Sequence, residues 1–110
     1  MALTKILAVD DEPFNLEIIE EILEELDFEL QVATSGPECL NMVEGYMPQV
    51  ILLDVSMPQM NGYEVCKALK ANPNTAHIIV MFVSAFILHL SEKYHRKDLT
   101  NPCCHGILSL

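Results

Sequence analysis

Basic residues are scarce in this sequence: six Lys and Arg stand against sixteen Asp and Glu, for a formal charge of −10. Proteins that grip nucleic acid through its phosphates need clustered cations to displace counterions, so that class of partner is excluded. The imbalance is uneven along the chain. Lys5 is the only base before Lys67, and every acid except Glu92 and Asp98 lies between Asp10 and Glu64. That half suits a cation or a basic protein surface. Regular cysteine spacing is also missing: Cys39, Cys66, Cys103 and Cys104 form neither a disulfide framework nor a zinc pattern. No membrane-length apolar run occurs, since the most apolar stretch, Ile78 to Leu90, is too short and is broken by Ser84 and His89. Without a cleavable signal segment either, the expected setting is a reducing cytoplasm, with no membrane.

What the chain does have is apolar material for one core. At 110 residues, 51% apolar and 20% charged, it fits a single globular domain over 1–110. No repeat or low-complexity linker divides it.

The hydrophobic pattern alternates between two periods. Lys5 to Val9 is a short apolar run ending abruptly at Asp10-Asp11-Glu12-Pro13, the signature of a buried strand entering an acidic loop. Phe14, Ile18, Ile19, Ile22, Leu23 and Leu26 then recur at helical spacing, with glutamates between them and Pro13 near the start. Phe28, Leu30 and Val32 alternate with Glu29 and Gln31, as in a half-exposed edge strand. Ser35 and Glu38 suggest a capping box opening a helix toward Glu44, punctuated by Gly45 and Pro48. Val50 to Leu53 is unbroken and apolar, like a strand covered on both faces, and it ends at Asp54. Val65, Cys66 and Leu69 mark a third helix, stopped near Asn72-Pro73, and His77 to Val83 a fourth strand ending at Ser84. Strands alternating with helices predict an α/β three-layer sandwich with a central parallel sheet. Ligands bind such sheets beyond the carboxyl ends of the strands, where Asp10, Asp11, Asp54 and Ser84 all fall.

Three carboxylates at one sheet edge repel one another unless a cation compensates. Hard oxygen ligands suit magnesium, with Asp11 and Asp54 as direct ligands and Asp10 orienting a bound water. Asp54 is also placed to attack a phosphoryl group, and the Ser84 hydroxyl to donate to a phosphate oxygen.

Three segments, Leu7-Ala8-Val9-Asp10-Asp11-Glu12-Pro13, Leu52-Leu53-Asp54-Val55-Ser56-Met57-Pro58-Gln59-Met60-Asn61-Gly62 and Val83-Ser84-Ala85, resemble response-regulator receiver domains. The resemblance implies the flavodoxin-like strand order 2-1-3-4-5. It implies that Asp54 is the phosphoacceptor, that Asp10 and Asp11 are the acidic pair, that the Ser56 main-chain carbonyl is a further Mg2+ ligand, and that Ser84 is the switch hydroxyl. It further implies a histidine kinase or phosphotransfer protein as donor, with output through a separate protein or a lost effector domain. Asn61 stands where the family usually has Asp, a mild departure in a turn that accepts either.

The resemblance stops at Ala85, and 86–110 is an atypical tail. The family continues with a helix, a fifth strand, a Lys-Pro pair and a closing helix, but no Lys-Pro pair occurs here. Phe86, Leu90 and Tyr94 can share a helix face and Ile107 to Leu110 can pair as a terminal strand, leaving the fifth strand and last helix incomplete or absent. An uncovered sheet edge invites a homodimer or swapped assembly. Three origins for the tail stay open: a natural variant, an end set by truncation, or a reading-frame change.

Blander readings exist for several features. The Asp10-Asp11-Glu12 run could serve only as acids at a helix start, and the glutamates after Pro13 are most simply a solvated face. Cys103-Cys104-His105 lacks a fourth ligand, and burial explains Cys39 and Cys66. Met57 and Met60 fill gaps or adapt to a contact, and His77, His89 and His95 have no partner pattern. Two other functions compete: a degenerate receiver acting as a protein-interaction module, and an aspartate-nucleophile phosphatase of the haloacid-dehalogenase kind. The latter needs a second Asp two residues after the nucleophile, where this chain has Ser56, and the expectation is a signalling substrate rather than an enzyme.

Overall fold

A computed structural model describes residues 3–84 and 107–109, with only the main chain of Ser84 and of 107–109. Strands and helices alternate as β1 (Thr4–Val9), α1 (Pro13–Glu24), β2 (Phe28–Ala33), α2 (Gly36–Tyr46), β3 (Val50–Asp54), α3 (Gly62–Ala71), β4 (Ile79–Ser84) and a short β5 (Ile107–Ser109). Every pairing is parallel and the order is β2-β1-β3-β4-β5, as the resemblance implied. The expected terminal strand is present as three residues paired to β4. The expected helix over Phe86, Leu90 and Tyr94 and the rest of the tail through Gly106 lie outside the described residues.

The two faces of the sheet are read directly from the period of two. Leu7, Val9, Ile51, Leu53, Val80 and Phe82 point to one side, where Cys39 and Val43 of α2 and Val65, Cys66 and Leu69 of α3 cover them. Ile6, Ala8, Leu52 and Val83 point to the other, against Leu16 and Ile19 of α1. This is why residues 6–9 and 50–53 are apolar without interruption: both faces are covered. β2 lies at the edge, and its burial alternates accordingly.

Helix α1 departs from expectation in which face it buries. Leu16, Ile19 and Leu23 meet the sheet, whereas Phe14 (65% exposed), Ile22 (51%) and Leu26 (51%) face outward. Apolar residues fill two adjacent strips of this helix, and spacing alone did not say which one the sheet takes. Leu26 also falls beyond the helix, which stops at Glu24.

The cap of α2 is also modified. The Ser35 hydroxyl accepts from the Glu38 N–H at 3.2 Å, but the Glu38 carboxylate accepts from Thr34 N–H at 3.0 Å rather than from Ser35. Gly45 is inside α2, and the left-handed residue that ends the helix is Met47, with φ 50°. The reciprocal capping box is instead on α3. Glu64 N–H donates to Asn61 Oδ1 at 3.0 Å, and Asn61 N–H donates to Glu64 Oε1 at 3.1 Å. Asn61→Ala is therefore expected to cost about 1 kcal/mol in urea unfolding, and Asn61→Asp, which keeps the acceptor, to stay close to the unaltered chain.

Among the described residues, no helix is long and apolar enough to cross a membrane.

Candidate functional site

Strand register brings the acidic residues together. Val9 of β1 pairs with Leu53 of β3, so Asp10 emerges beside Asp54 at the carboxyl edge of the two central strands. Asp54 pairs with Val83 of β4, which puts Ser84 one residue further along the neighbouring strand. The chain leaves β1 toward β2 on one side and passes to β3 on the other, so the acids sit where the strand order reverses.

One carboxylate oxygen from each of Asp10, Asp11 and Asp54 lies within 4.8 Å of the others. Asp11 is exposed, while Asp10 and Asp54 are only 3% and 8% exposed. Asp10 is held on three sides. Its N–H donates to the Ala33 carbonyl at 3.1 Å, its Oδ1 accepts from Glu12 N–H at 2.9 Å, and its Oδ2 accepts from Asn15 Nδ2 at 3.1 Å. Asp54 Oδ1 accepts one longer bond, 3.3 Å, from Ser56 N–H.

These surroundings make ionisation of the pair costly. Burial, and then the charge of Asp10, push the Asp54 carboxyl up from 3.8 to about 7, against the smaller opposing pull of the Ser56 N–H. Burial raises Asp10 as well, opposed by its bonds to Glu12 and Asn15. A cation at this edge would restore both negative charges, and an all-carboxylate oxygen set fits a hard divalent ion such as Mg2+.

The loop after β3 folds back closely on the main chain of Asp54 and Val55. Gly62 N–H returns to the Val55 carbonyl at 2.9 Å, and a Cβ on Gly62 would run into the Asp54 carbonyl oxygen and Val55 Cα. Gln59 takes a left-handed conformation with φ 67°. Met57 is buried in the α2/α3 cluster, where it fills space, and Met60 lies against it. Ser56, just before Met57, is exposed.

Two residues important to this geometry were not singled out in the sequence. Asn15 lies in the first turn of α1, five residues past Asp10, with no local signal linking them. Gly62 read only as a turn residue, since nothing local reveals how closely α3 approaches the Asp54 main chain.

Residues 6–92 match the family pattern of the response regulator receiver domain. The chain belongs to that family. The receiver is 42% identical over 81 residues to the response regulator PleD of Caulobacter vibrioides, an alignment covering 74% of this chain and 18% of that protein. It is 30% identical over 92 residues to the polar-differentiation response regulator DivK of Brucella ovis, covering 84% of this chain and 75% of DivK. Among solved structures, the N-terminal domain of a response regulator receiver protein from Methanoculleus marisnigri superposes with a TM-score of 0.79 at 27% identity, over 98% of this chain and 85% of that one. The receiver is thus a module of two-component signalling, spanning a small part of PleD and most of DivK.

Other chemistry-bearing side chains stay outside the acidic edge. Cys39 and Cys66 are buried, and burial pushes the Cys39 thiol up to about 12, which keeps it unreactive. His77 is exposed with no site around it, while His89, His95 and Cys103-Cys104-His105 lie outside the described residues.

Proposed function

We propose that this receiver is a phosphoacceptor in a cytoplasmic phosphorelay, taking a phosphoryl group on Asp54 from a histidine kinase or phosphotransfer protein. The observation that carries the reading is the meeting of three carboxylates from two strand ends within 4.8 Å, at the edge where a ligand would bind. Asp11, Asp54 and the Ser56 main-chain carbonyl would hold Mg2+ directly, and Asp10 through a water. When bound, that ion supplies positive charge against the phosphoryl oxygens.

The protein's own part is chiefly positioning. An Asp54 carboxylate oxygen attacks the phosphorus of a phosphohistidine, the P–N bond breaks, and the histidine ring leaves with a proton from solvent. Attack needs the ionised carboxylate, which the bare site disfavours, so acceptance is coupled to arrival of the cation. The Ser84 hydroxyl, at the end of β4, would donate to a phosphate oxygen and carry the modification to neighbouring loops. Output would run through a separate protein, an effector domain or a second copy of the chain.

Incubation with Mg2+ and acetyl phosphate, followed by intact-mass analysis, tests this. One phosphoryl group is expected on the unaltered chain and none on Asp54→Asn, and an unchanged mass for both eliminates phosphoacceptance.

One sequence feature favours a second reading. The sequence has no Lys-Pro pair, which the resemblance would place against the phosphate, and losing that contact would weaken coupling more than acceptance. A receiver that gains the phosphoryl group yet binds its partner equally well before and after fits this interaction-module reading.

A further inference from the structure

We infer that Asn15 is a positioning residue for the metal site: it fixes the plane of the Asp10 carboxylate so that Asp10 can orient a metal-bound water. The inference rests on the functional reading above and extends it to a residue on a helix that contributes no ligand.

Asp10 follows a buried strand, and its main-chain N–H is anchored to Ala33. A carboxylate so placed can still rotate about its own side-chain torsions, and a single hydrogen bond leaves that rotation partly free. Here both oxygens have donors. Glu12 N–H holds Oδ1 at 2.9 Å and Asn15 Nδ2 holds Oδ2 at 3.1 Å. Two donors on two oxygens define the carboxylate plane, and each oxygen keeps a second acceptor direction for a water in the cleft. The neighbouring acids differ: Asp54 accepts from one main-chain N–H, at 3.3 Å on one oxygen, and otherwise meets the carboxyl of Asp10, while Asp11 is exposed.

Asn15 is itself fixed. Its N–H donates to the Glu12 carbonyl at 3.0 Å in the first turn of α1, and the residue is half-buried. An amide suits the position because it donates without adding charge. An acid there would repel Asp10, and a lysine would compete with the metal for it.

A purely structural role must be separated from this one, because Glu12 caps α1 without a side-chain hydrogen bond and the Asn15–Asp10 bond also ties the helix to β1. The separating measurement is a cycle of Asn15→Ala, Asp10→Ala and the double variant, each titrated with MgCl2 and followed by the thermal unfolding midpoint, with phosphorylation rate from acetyl phosphate as a second readout. Asn15→Ala is expected to weaken Mg2+ affinity about tenfold in the unaltered background, and to change it by less than about twofold once Asp10 is gone. Equal weakening in both backgrounds, or a lowered midpoint with unchanged Mg2+ affinity, overturns the inference and leaves Asn15 a helix tether. Failure of the unaltered chain to bind Mg2+ overturns the functional reading itself and this inference with it.

Discussion

At pH 8 and without divalent metal, Asp54→Asn is expected to unfold about 10 °C above the unaltered receiver. The folded Asp54 carboxyl titrates near 7 instead of 3.8, because it is buried beside Asp10. Between those two values the folded chain binds more protons than the unfolded chain, so stability falls as pH rises through this window. Above about pH 7 the penalty is complete, and below about pH 4 it is absent. The full shift would be worth about 4 kcal/mol, and since Asp10 shares the repulsion and an amide still has to be desolvated, about 2 kcal/mol is recovered by the substitution. Thermal unfolding across pH 4 to pH 8 in chelator reads the effect. The advantage should shrink toward the acid end, and added Mg2+ should stabilise the unaltered chain while leaving Asp54→Asn nearly unmoved. A variant no more stable than its parent at pH 8 would show that the carboxyl is not strained.

Gly62→Ala is expected to destabilise the fold by about 3 kcal/mol and to slow phosphoryl acceptance. The added methyl would meet the Asp54 carbonyl oxygen and Val55 Cα, both main-chain atoms that cannot swing aside. Relief requires α3 to retreat, which breaks the Gly62–Val55 hydrogen bond and shifts the residue that carries the acceptor. Gly36→Ala is the useful contrast, since its new methyl meets the side chains of Val65 and Met60, and Met60 can change rotamer. Urea unfolding of both variants should rank Gly62→Ala well below Gly36→Ala, and near-equal losses would refute the close-approach argument.

The parts legible in the sequence were those written in local periodicity. The unbroken runs of β1 and β3 and the alternation of β2 gave each strand its depth in the sheet, and the acids at their ends followed. Parallel pairing then made Asp10, Asp11 and Asp54 neighbours, although Asp54 stands 43 positions beyond Asp11 in the sequence. What depended on tertiary contact was less accessible. Of the apolar residues at helical spacing in α1, Ile19 and Leu23 reach the sheet together with Leu16, while Phe14 and Ile22 do not, because two adjacent strips share the same period. The Asn61–Glu64 box carries the same three-residue spacing as Ser35–Glu38, but only the turn-rich residues before it mark Asn61 locally, and these fit a loop as well as a cap. The strand order and the Ser56 carbonyl came from family resemblance alone.

Asp54 is the last residue of a strand with a paired neighbour on each side, β1 and β4, and its main chain is further crowded by Gly62. Ahead of it lies a segment with an exposed Ser56 and a left-handed Gln59. Mechanically, the proposed acceptor is a bead fixed on a stiff rod. Under the proposed function, a charge added to the bead would meet close-packed main chain behind it, so any displacement would have to be taken up ahead, between Val55 and the start of α3.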